Sequence, residues 1–560
     1  MAPARRPYIL IALLAAAAFL PFLGRRDIVI SHEARVVQTA RQMAESGYPW
    51  HATPTQVPAV HLTNSAGALS LDPDLSKPPH RVNPWLVPVL NDEIRLQKPP
   101  LPYWCCAILF KLAGHWSQAL ARLIPALMGA LATFLVYDLT RLTLGRRYAL
   151  AAALVWVTSY FIPDEFRKVM ADPYLAFFSL LAIWAWIRAA SPRPTSPSPH
   201  LPILVFYFAT ALGLLAKGPP LFIHLIIPIA LFHVLKKRRL PGTLWSHLAG
   251  IALLLLIALP WPIYILNHVP NAREIWRYES IGELTDNTEN ARPFWYYIPL
   301  LLQISLPWTP LWLLAFYLPF RKRQRVQGSE FRVQEQSNPQ STTSSPLRTQ
   351  HSALRTLFPL AWYTLTVLFF SCVHLKKLAY LLPAMPAQTM MIAQAAVFIG
   401  VVLRKRTRRT RRQLDESFVF ACTLIVIILV GVFNFIRTPI ENARSPRRAA
   451  AFLQLALAAN PHATTIPGRL PPEASLYLPL SLTYNRQADT ILYLVDDLHN
   501  TAKADLDLFA SRLPNLNLTA VRRMPIPGDG PRPRYKLFEL TLGPGQPKTY
   551  ASASTPKPST

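Results

Sequence analysis

A chain of 560 residues in which 51% are hydrophobic and only 16% are charged does not read as an ordinary soluble protein, where about a quarter of residues carry charge. Mean hydropathy is +0.22, and the apolar residues come in long blocks rather than alternating stripes, which marks a membrane protein. The net charge of +29 does not indicate a nucleic-acid binder, because Lys and Arg fall in short bursts between apolar runs and are not interleaved with aromatics on a soluble face.

The first apolar run, 7–24, follows Arg5 and Arg6 and so resembles a signal peptide. Its small residues, Ala15 to Ala18, lie inside the run rather than after it, and it closes on Leu20-Pro21-Phe22-Leu23 before Arg25 and Arg26. It reads as a retained span. Further runs of spanning length lie near 119–140, 148–163, 168–187, 201–216, 219–235, 245–266, 294–318, 354–372, 378–402 and 417–436, eleven with the first. The basic bursts are Arg141/Arg146/Arg147, 236–239, 321–325 and 404–412. With the N-terminus inside, loops 141–147, 188–200, 236–244, 320–353 and 403–416 are cytoplasmic and contain every burst, as the positive-inside rule requires. The outside then receives 25–118, the turns 164–167, 217–218 and 373–377, the loop 267–293 and everything after about 437. The expectation is an all-α polytopic inner-membrane protein with its N-terminus cytoplasmic and C-terminus extracytoplasmic.

Two cytoplasmic linkers stand out: 191–200 is Pro/Ser-rich, and 324–352, within the 320–353 loop, is polar and reads as disordered. After the membrane domain, 1–436, the character changes. A helical stretch at 449–459 precedes short apolar runs at 475–482, 490–495 and 535–542, which read as strands. A small extracytoplasmic α/β domain is expected over 437–542, then a disordered tail, 543–560. Cys105, Cys106, Cys372 and Cys422 show no CxxC spacing. His32, His51, His61 and His80 match no zinc-ligand spacing, so neither metal nor cofactor is expected.

Six groups of polar residues fall outside. They are 31–35 (Ser-His-Glu-Ala-Arg), 97–104 around Lys98, 164–168 with Asp172, 216–219 around Lys217, the acidic loop 279–292 leading into 293–297, and 374–380. Arg167, Lys168, Lys217, Lys376 and Lys377 at outer span ends run against the charge bias. Lysines there can simply snorkel to the interface, but such cost also marks partners or a polar cavity. A lipid phosphate is an apt partner, since Lys and Arg bind phosphate through charge-assisted hydrogen bonds. Glu33, Asp164, Glu165 and Asp172 on the same side are candidate general bases.

The ordered set resembles the bacterial branch of the GT-C glycosyltransferases, which contains the protein O-mannosyltransferases and the aminoarabinose transferases of lipid A. The matching residues are His32 to Arg35, Ala40 to Met43, Ser46-Gly47, Trp85 to Pro88, Asn91, Lys98 to Trp104, Arg167, Asp172, Lys217 to Pro219, Pro293 to Tyr297, Lys376 and Tyr380 to Pro383. The resemblance covers roughly residues 5 to 400. It implies an inverting transferase that moves a sugar from a polyprenyl-phosphate donor to a lipid, glycan or protein hydroxyl, with membrane lipids as neighbours. By position, Lys98, Lys217, Lys376 and Tyr380 would hold the lipid phosphate. Arg35 and Arg292 join that phosphate-binding set. Glu33 and Asp172 would be the acidic members, with Arg167 orienting or pairing with Asp172. The family's leading Asp is His32 here, so the base lies among His32, Glu33 and Asp172, since imidazole also accepts a proton near neutral pH. Gln97 replaces a second family acid. Residues 48–84 read as an insertion beside the expected cavity, able to shape acceptor choice. A transporter or flippase, or a non-catalytic assembly protein, is the alternative; the former should show internal repeats or paired broken helices.

Overall fold

The structure, a computed structural model, describes residues 6–49, 51–57, 59–65, 68–74, 80–90, 93–191, 199–236, 240–270, 272–277, 292–320, 346–374, 376–407, 410–465, 470–479, 490–497, 509, 518–526 and 534–542. The predicted linker 324–352 and the acidic residues of the 279–289 loop lie largely or wholly outside them, as does the tail from 543.

The first helix, α1 (Arg6–Phe19), stops where the chain turns at Phe22, a residue at positive φ. Residues 27–30, in no helix or strand, lead into α2 (Ser31–Glu45). α2 is buried over more than one face: Glu33, Ala34, Val36 to Ala40, Met43 and Ala44 are all out of water. Of these, Ala34, Val36, Val37, Ala40, Met43 and Ala44 share a core cluster with Tyr103, Cys106, Ala107 and Phe110 of α3 (Leu101–Ala113). That helix is apolar yet only 13 residues long, too short to span a bilayer alone.

Between α2 and α3 the segment expected to be an insertion forms a β-hairpin. Strand β1 (Thr55–Val57) pairs with β4 (His80–Val82), and β2 (Ala59–Ser65) with β3 (Ala68–Asp74), all antiparallel. Its neck is fixed by Asn83, whose side-chain amide donates to Pro49 O at 3.0 Å, and by Trp85, whose indole N–H donates to Gly47 O at 3.1 Å. A two-residue ladder, β5 (Val89–Leu90) with β6 (Glu93–Ile94), then carries the chain to Lys98. Three more indoles secure this loop: Trp104 donates to Trp85 O (2.7 Å), Trp261 to Leu86 O (2.8 Å) and Trp276 to Leu96 O (3.2 Å). Aromatic rings that pack apolar faces while donating one hydrogen bond suit such a position.

The bundle follows. α4 (Gln118–Thr143) starts on Ser117, whose hydroxyl accepts from Leu120 N–H. α5 (Arg146–Thr158), α6 (Phe161–Phe166) and α7 (Ala171–Ala189) come next, so the run expected at 148–163 breaks into two helices. α8 (His200–Lys217) ends on Gly218, and α9 (Pro220–Lys236) begins directly after it. Five described helices are long and apolar enough to cross a membrane, at 118–143, 200–217, 244–268, 378–407 and 411–459. The expected span 294–318 is two helices bent by 119°. Helices at 7–19, 101–113, 220–235 and 357–372 are apolar but shorter. The multi-pass helical architecture therefore stands, while the count of eleven is finer than the helix lengths carry.

Leu131, Leu256, Phe420 and Ile427 point outward, each more than half exposed, as lipid-facing side chains do and as soluble surfaces seldom allow. Inside, close helix approach depends on small residues. A Cβ at Gly129 would stand 2.5 Å from the Phe19 ring and 2.8 Å from Phe166 Cβ. The bare carbonyl of Gly129 also accepts the Trp156 indole N–H at 3.2 Å.

Beyond the helices, a four-stranded sheet has the order β7 (Ala463–Thr464), β8 (Thr490–Asp496), β10 (Tyr535–Leu542), β9 (Leu518–Met524). Only β7 and β8 are parallel. The helix Arg447–Ala459 covers one face through Ala449, Ala450 and Leu453, which meet Leu492, Leu494 and Leu537.

Candidate active site

A cavity of about 470 Å³ opens where α2, the 95–103 segment, α7, the end of α8 and residues 377–380 converge. Its polar lining is His32, Arg35, Arg95, Gln97, Lys98, Tyr103, Asp172, Lys217, Lys377 and Tyr380. Leu470 and Pro472 of the tail close one side. Among the charged lining residues, Arg35, Arg95, Lys98, Lys217 and Lys377 face a single carboxylate, Asp172.

Local structure explains each placement. Gly218 has φ +81°, ψ −148°, which a side chain would resist, and this releases the chain from α8 just after Lys217. A Cβ there would lie 4.0 Å from Pro99 Cγ, so the Lys-Gly-Pro and Lys-Pro-Pro turns abut. Lys217 Nζ binds Asp172 Oδ1 and lies 4.5 Å from the Tyr380 ring centre. Tyr380 packs in turn on Phe370, with centroids 5.6 Å apart. Arg95 Nε donates to the Tyr103 hydroxyl at 3.2 Å. His32, at the start of α2, lines the cavity while keeping part of its surface exposed; the desolvation it meets there and the charges of Lys377, Arg35 and Arg95 push its imidazole down to about 4, against a small opposing pull from Asp172. It is neutral at physiological pH.

Glu33 stands elsewhere. It turns away from the cavity lining into a clamp with Arg122 of α4, with Nε–Oε1 at 2.8 Å and Nη2–Oε2 at 3.1 Å, and accepts Val169 N–H at 3.2 Å. Burial alone would raise its carboxyl pKa, but Arg122 and then Arg26 outweigh burial and hold it below the usual range. Arg122 also donates to Leu23 O (3.0 Å), Arg26 O (2.5 Å) and Asp27 O (3.4 Å). The pair thus joins the exit of α1 to the start of α4.

Arg167 does not meet Asp172. It donates to Pro21 O (2.8 Å) and Asn434 Oδ1 (3.1 Å) beside Arg26, Arg122 and Arg437. In the same cluster Asp164 binds Lys168 at 2.8 Å and Arg437 at 2.5 Å; these and Arg26 overcome burial and hold its carboxyl at about 2. Lys376 donates to Arg292 O (2.8 Å) and Val373 O (2.5 Å), and the Arg292 guanidinium stands 6.0 Å from the Tyr296 ring centre. Neither Lys376 nor Arg292 lines the cavity; the next residue, Lys377, does. Arg95, Leu470 and Pro472 carried no recognisable motif. Arg122 had a signal, since a lone arginine inside an apolar helix needs a buried partner. Among the described residues no three His, Cys, Asp or Glu side chains gather as a metal site would need.

A family profile for dolichyl-phosphate-mannose-protein mannosyltransferase matches residues 77–275, a stretch that includes Lys98, Asp172 and Lys217. Undecaprenyl phosphate-alpha-4-amino-4-deoxy-L-arabinose arabinosyl transferase of Aeromonas salmonicida (strain A449) is 28% identical over 360 residues, 62% of this chain and 58% of that protein. The protein of the same name from Enterobacter sp. (strain 638) is 24% identical, covering 67% of this chain and 63% of its own length. The chain thus spans about 60% of the length of these relatives. The crystal structure of ArnT from Cupriavidus metallidurans bound to undecaprenyl phosphate superposes with a TM-score of 0.63 at 14% identity, over 96% of this chain and 98% of that one.

The fold is that of a multi-pass inner-membrane protein of the GT-C type. The chain shares this fold with ArnT from Cupriavidus metallidurans, and its residues 77–275 match the dolichyl-phosphate-mannose-protein mannosyltransferase profile.

Proposed function

We propose that this protein transfers a sugar from an undecaprenyl-phosphate-type donor to an acceptor hydroxyl on a lipid, glycan or protein, at the outer face of the inner membrane. The observation that carries the reading is the cavity in which five cationic side chains surround one carboxylate at the end of a lipid-facing bundle. Such an excess of positive charge suits a phosphate ester. The names of the relatives point to the same donor class. The orientation, with this cavity outside, rests on the basic bursts of the sequence.

In this reading Lys98, Lys377, Arg35 and Arg95 hold the donor phosphate, and Lys217, kept in place by Asp172 and Tyr380, completes the cradle. The acceptor oxygen attacks the anomeric carbon while the bond from that carbon to the phosphate oxygen breaks. The electron pair leaves with the lipid phosphate, where the cations stabilise it. The acceptor proton goes to His32, whose imidazole is neutral and faces the cavity. Glu33 is better read as the carboxylate that fixes Arg122, and Asp172 as the one that fixes Lys217. A transporter reading has no specific observation in its favour.

The test is transfer by the purified protein in nanodiscs supplied with undecaprenyl-phosphate-linked aminoarabinose or other pentoses and with cell-envelope acceptors, read by mass spectrometry. Transfer that disappears in Lys98→Ala while the protein stays folded supports the reading. Absence of transfer from any polyprenyl-phosphate sugar by well-folded protein refutes it.

A further inference from the structure

Residues 27–30 lie in no helix or sheet, so their backbone groups need partners from elsewhere. The C-terminal part of the chain supplies them. Asp27 N–H donates to Asn442 Oδ1 at 2.9 Å, Ile28 N–H to the Tyr477 hydroxyl at 3.2 Å, and Val29 O accepts from Arg534 Nη1 at 3.1 Å. The residue that opens α2 continues the pattern. Ile30 gives no side-chain cap, and Ser31 donates its hydroxyl to Oε1 of Glu473. Glu473 is buried at 1% exposure, and its negative charge lies where the helix dipole favours it. Arg534 Nη2 reaches the same oxygen at 3.4 Å while forking onto Asp496 at 2.9 and 2.7 Å.

We propose that Glu473 is a positioning residue for the transfer centre: from the tail domain it holds Ser31, and so sets where His32 and Arg35 stand in the cavity. His32 follows Ser31 directly, and Arg35 lies one turn further along the same rigid helix. Leu470 and Pro472, on the N-terminal side of Glu473, line the cavity. One short tail segment therefore both walls the site and latches the helix that carries its base. Farther along α2, Arg41 adds a second hold by donating to Leu476 O and Leu478 O, both at 3.0 Å. The tail thereby becomes part of the catalytic unit rather than an appended domain.

His32 faces Lys377, Arg35, Arg95 and Asp172. Releasing the latch lets the first turn of α2 shift, so His32 draws away from the cavity wall and its cations and titrates nearer its ordinary value of about 6.5. This gives a readout that does not depend on activity. Diethyl pyrocarbonate modifies neutral imidazole, and peptide mass spectrometry across pH 4 to 8 reports the His32 midpoint. In Glu473→Ala and in Ser31→Ala the midpoint is expected to rise by about one pH unit or more, with the double variant no further shifted than either single one. Glu473→Gln, which keeps an acceptor for Ser31, should stay close to wild type. Leu540→Ala, in the core on the other face of the tail sheet, destabilises the same domain away from the latch and should leave the midpoint in place.

The kinetic arm rests on the transferase reading. There, Glu473→Ala should raise the KM for acceptor about tenfold, with donor binding unchanged. An unmoved His32 midpoint in folded Glu473→Ala overturns the proposal, as does an equal shift in Leu540→Ala. A wild-type protein that transfers nothing refutes the transferase reading alone, and the labelling arm still decides this one.

Discussion

Glu33 and Arg122 give the sharpest test of what the buried charges do. Each is 1% exposed, and their two-point contact at 2.8 and 3.1 Å leaves neither charge in water. Glu33→Ala strands the guanidinium with backbone carbonyls for company. Removing one partner of such a pair costs about 3–5 kcal/mol, or roughly 6–10 °C in melting temperature at about 2 °C per kcal/mol. Arg122→Ala should cost at least as much, since Leu23 O, Arg26 O and Asp27 O lose donors as well. The double variant Glu33→Leu with Arg122→Met removes both charges, so about half of the loss should return; the three carbonyls keep recovery incomplete at about 1 kcal/mol each. The assay is fluorescence-detected thermal unfolding in detergent, with transfer measured on the folded fraction. A Glu33→Gln protein that melts like wild type yet transfers nothing would refute the structural assignment and return Glu33 to the chemistry.

Three further outcomes are expected. Lys98→Ala and Lys377→Ala should each weaken donor affinity about 10- to 100-fold, the range of a lost charge-assisted hydrogen bond, measured with a labelled polyprenyl phosphate; unchanged affinity in both removes the phosphate cradle. The acid limb of transfer should fall near pH 4, where His32 takes up a proton, and His32→Gln should abolish that limb together with most of the rate. The same depressed value carries a stability sign: the unfolded chain binds the proton first, so this contribution is full above about pH 6.5 and is lost as pH falls towards 4, visible as a melting temperature that His32→Gln makes less acid-sensitive. Deleting residues 55–82, whose end residues Thr55 and Val82 pair directly and can be bridged by a short Gly-Ser link, should move the melting point by only a few degrees while altering acceptor preference; unchanged acceptor use in folded protein removes the hairpin from selectivity.

The sequence by itself determined the properties that add along the chain. Block hydropathy marked the helices, and ordered motifs placed Lys98, Asp172, Lys217 and Tyr380 together before any coordinates. These signals survive in one dimension because a spanning helix must be apolar over its whole length and because Gly-Pro and Pro-Pro turns are local. Tertiary structure alone decided which charge meets which. Glu33 and His32 are adjacent in sequence, yet successive side chains of a helix point about 100° apart, so one enters the Arg122 clamp and the other the cavity. Lys376 and Lys377 also part, outside any helix, the first to backbone carbonyls and the second to the site. Span lengths were blurred because α5, α6 and the 294–317 pair break inside runs that block hydropathy reads as continuous. Nothing near Glu473 signals its contact with Ser31, which lies 442 residues away. Long-range partners depend on packing, and packing has no trace in a single sequence.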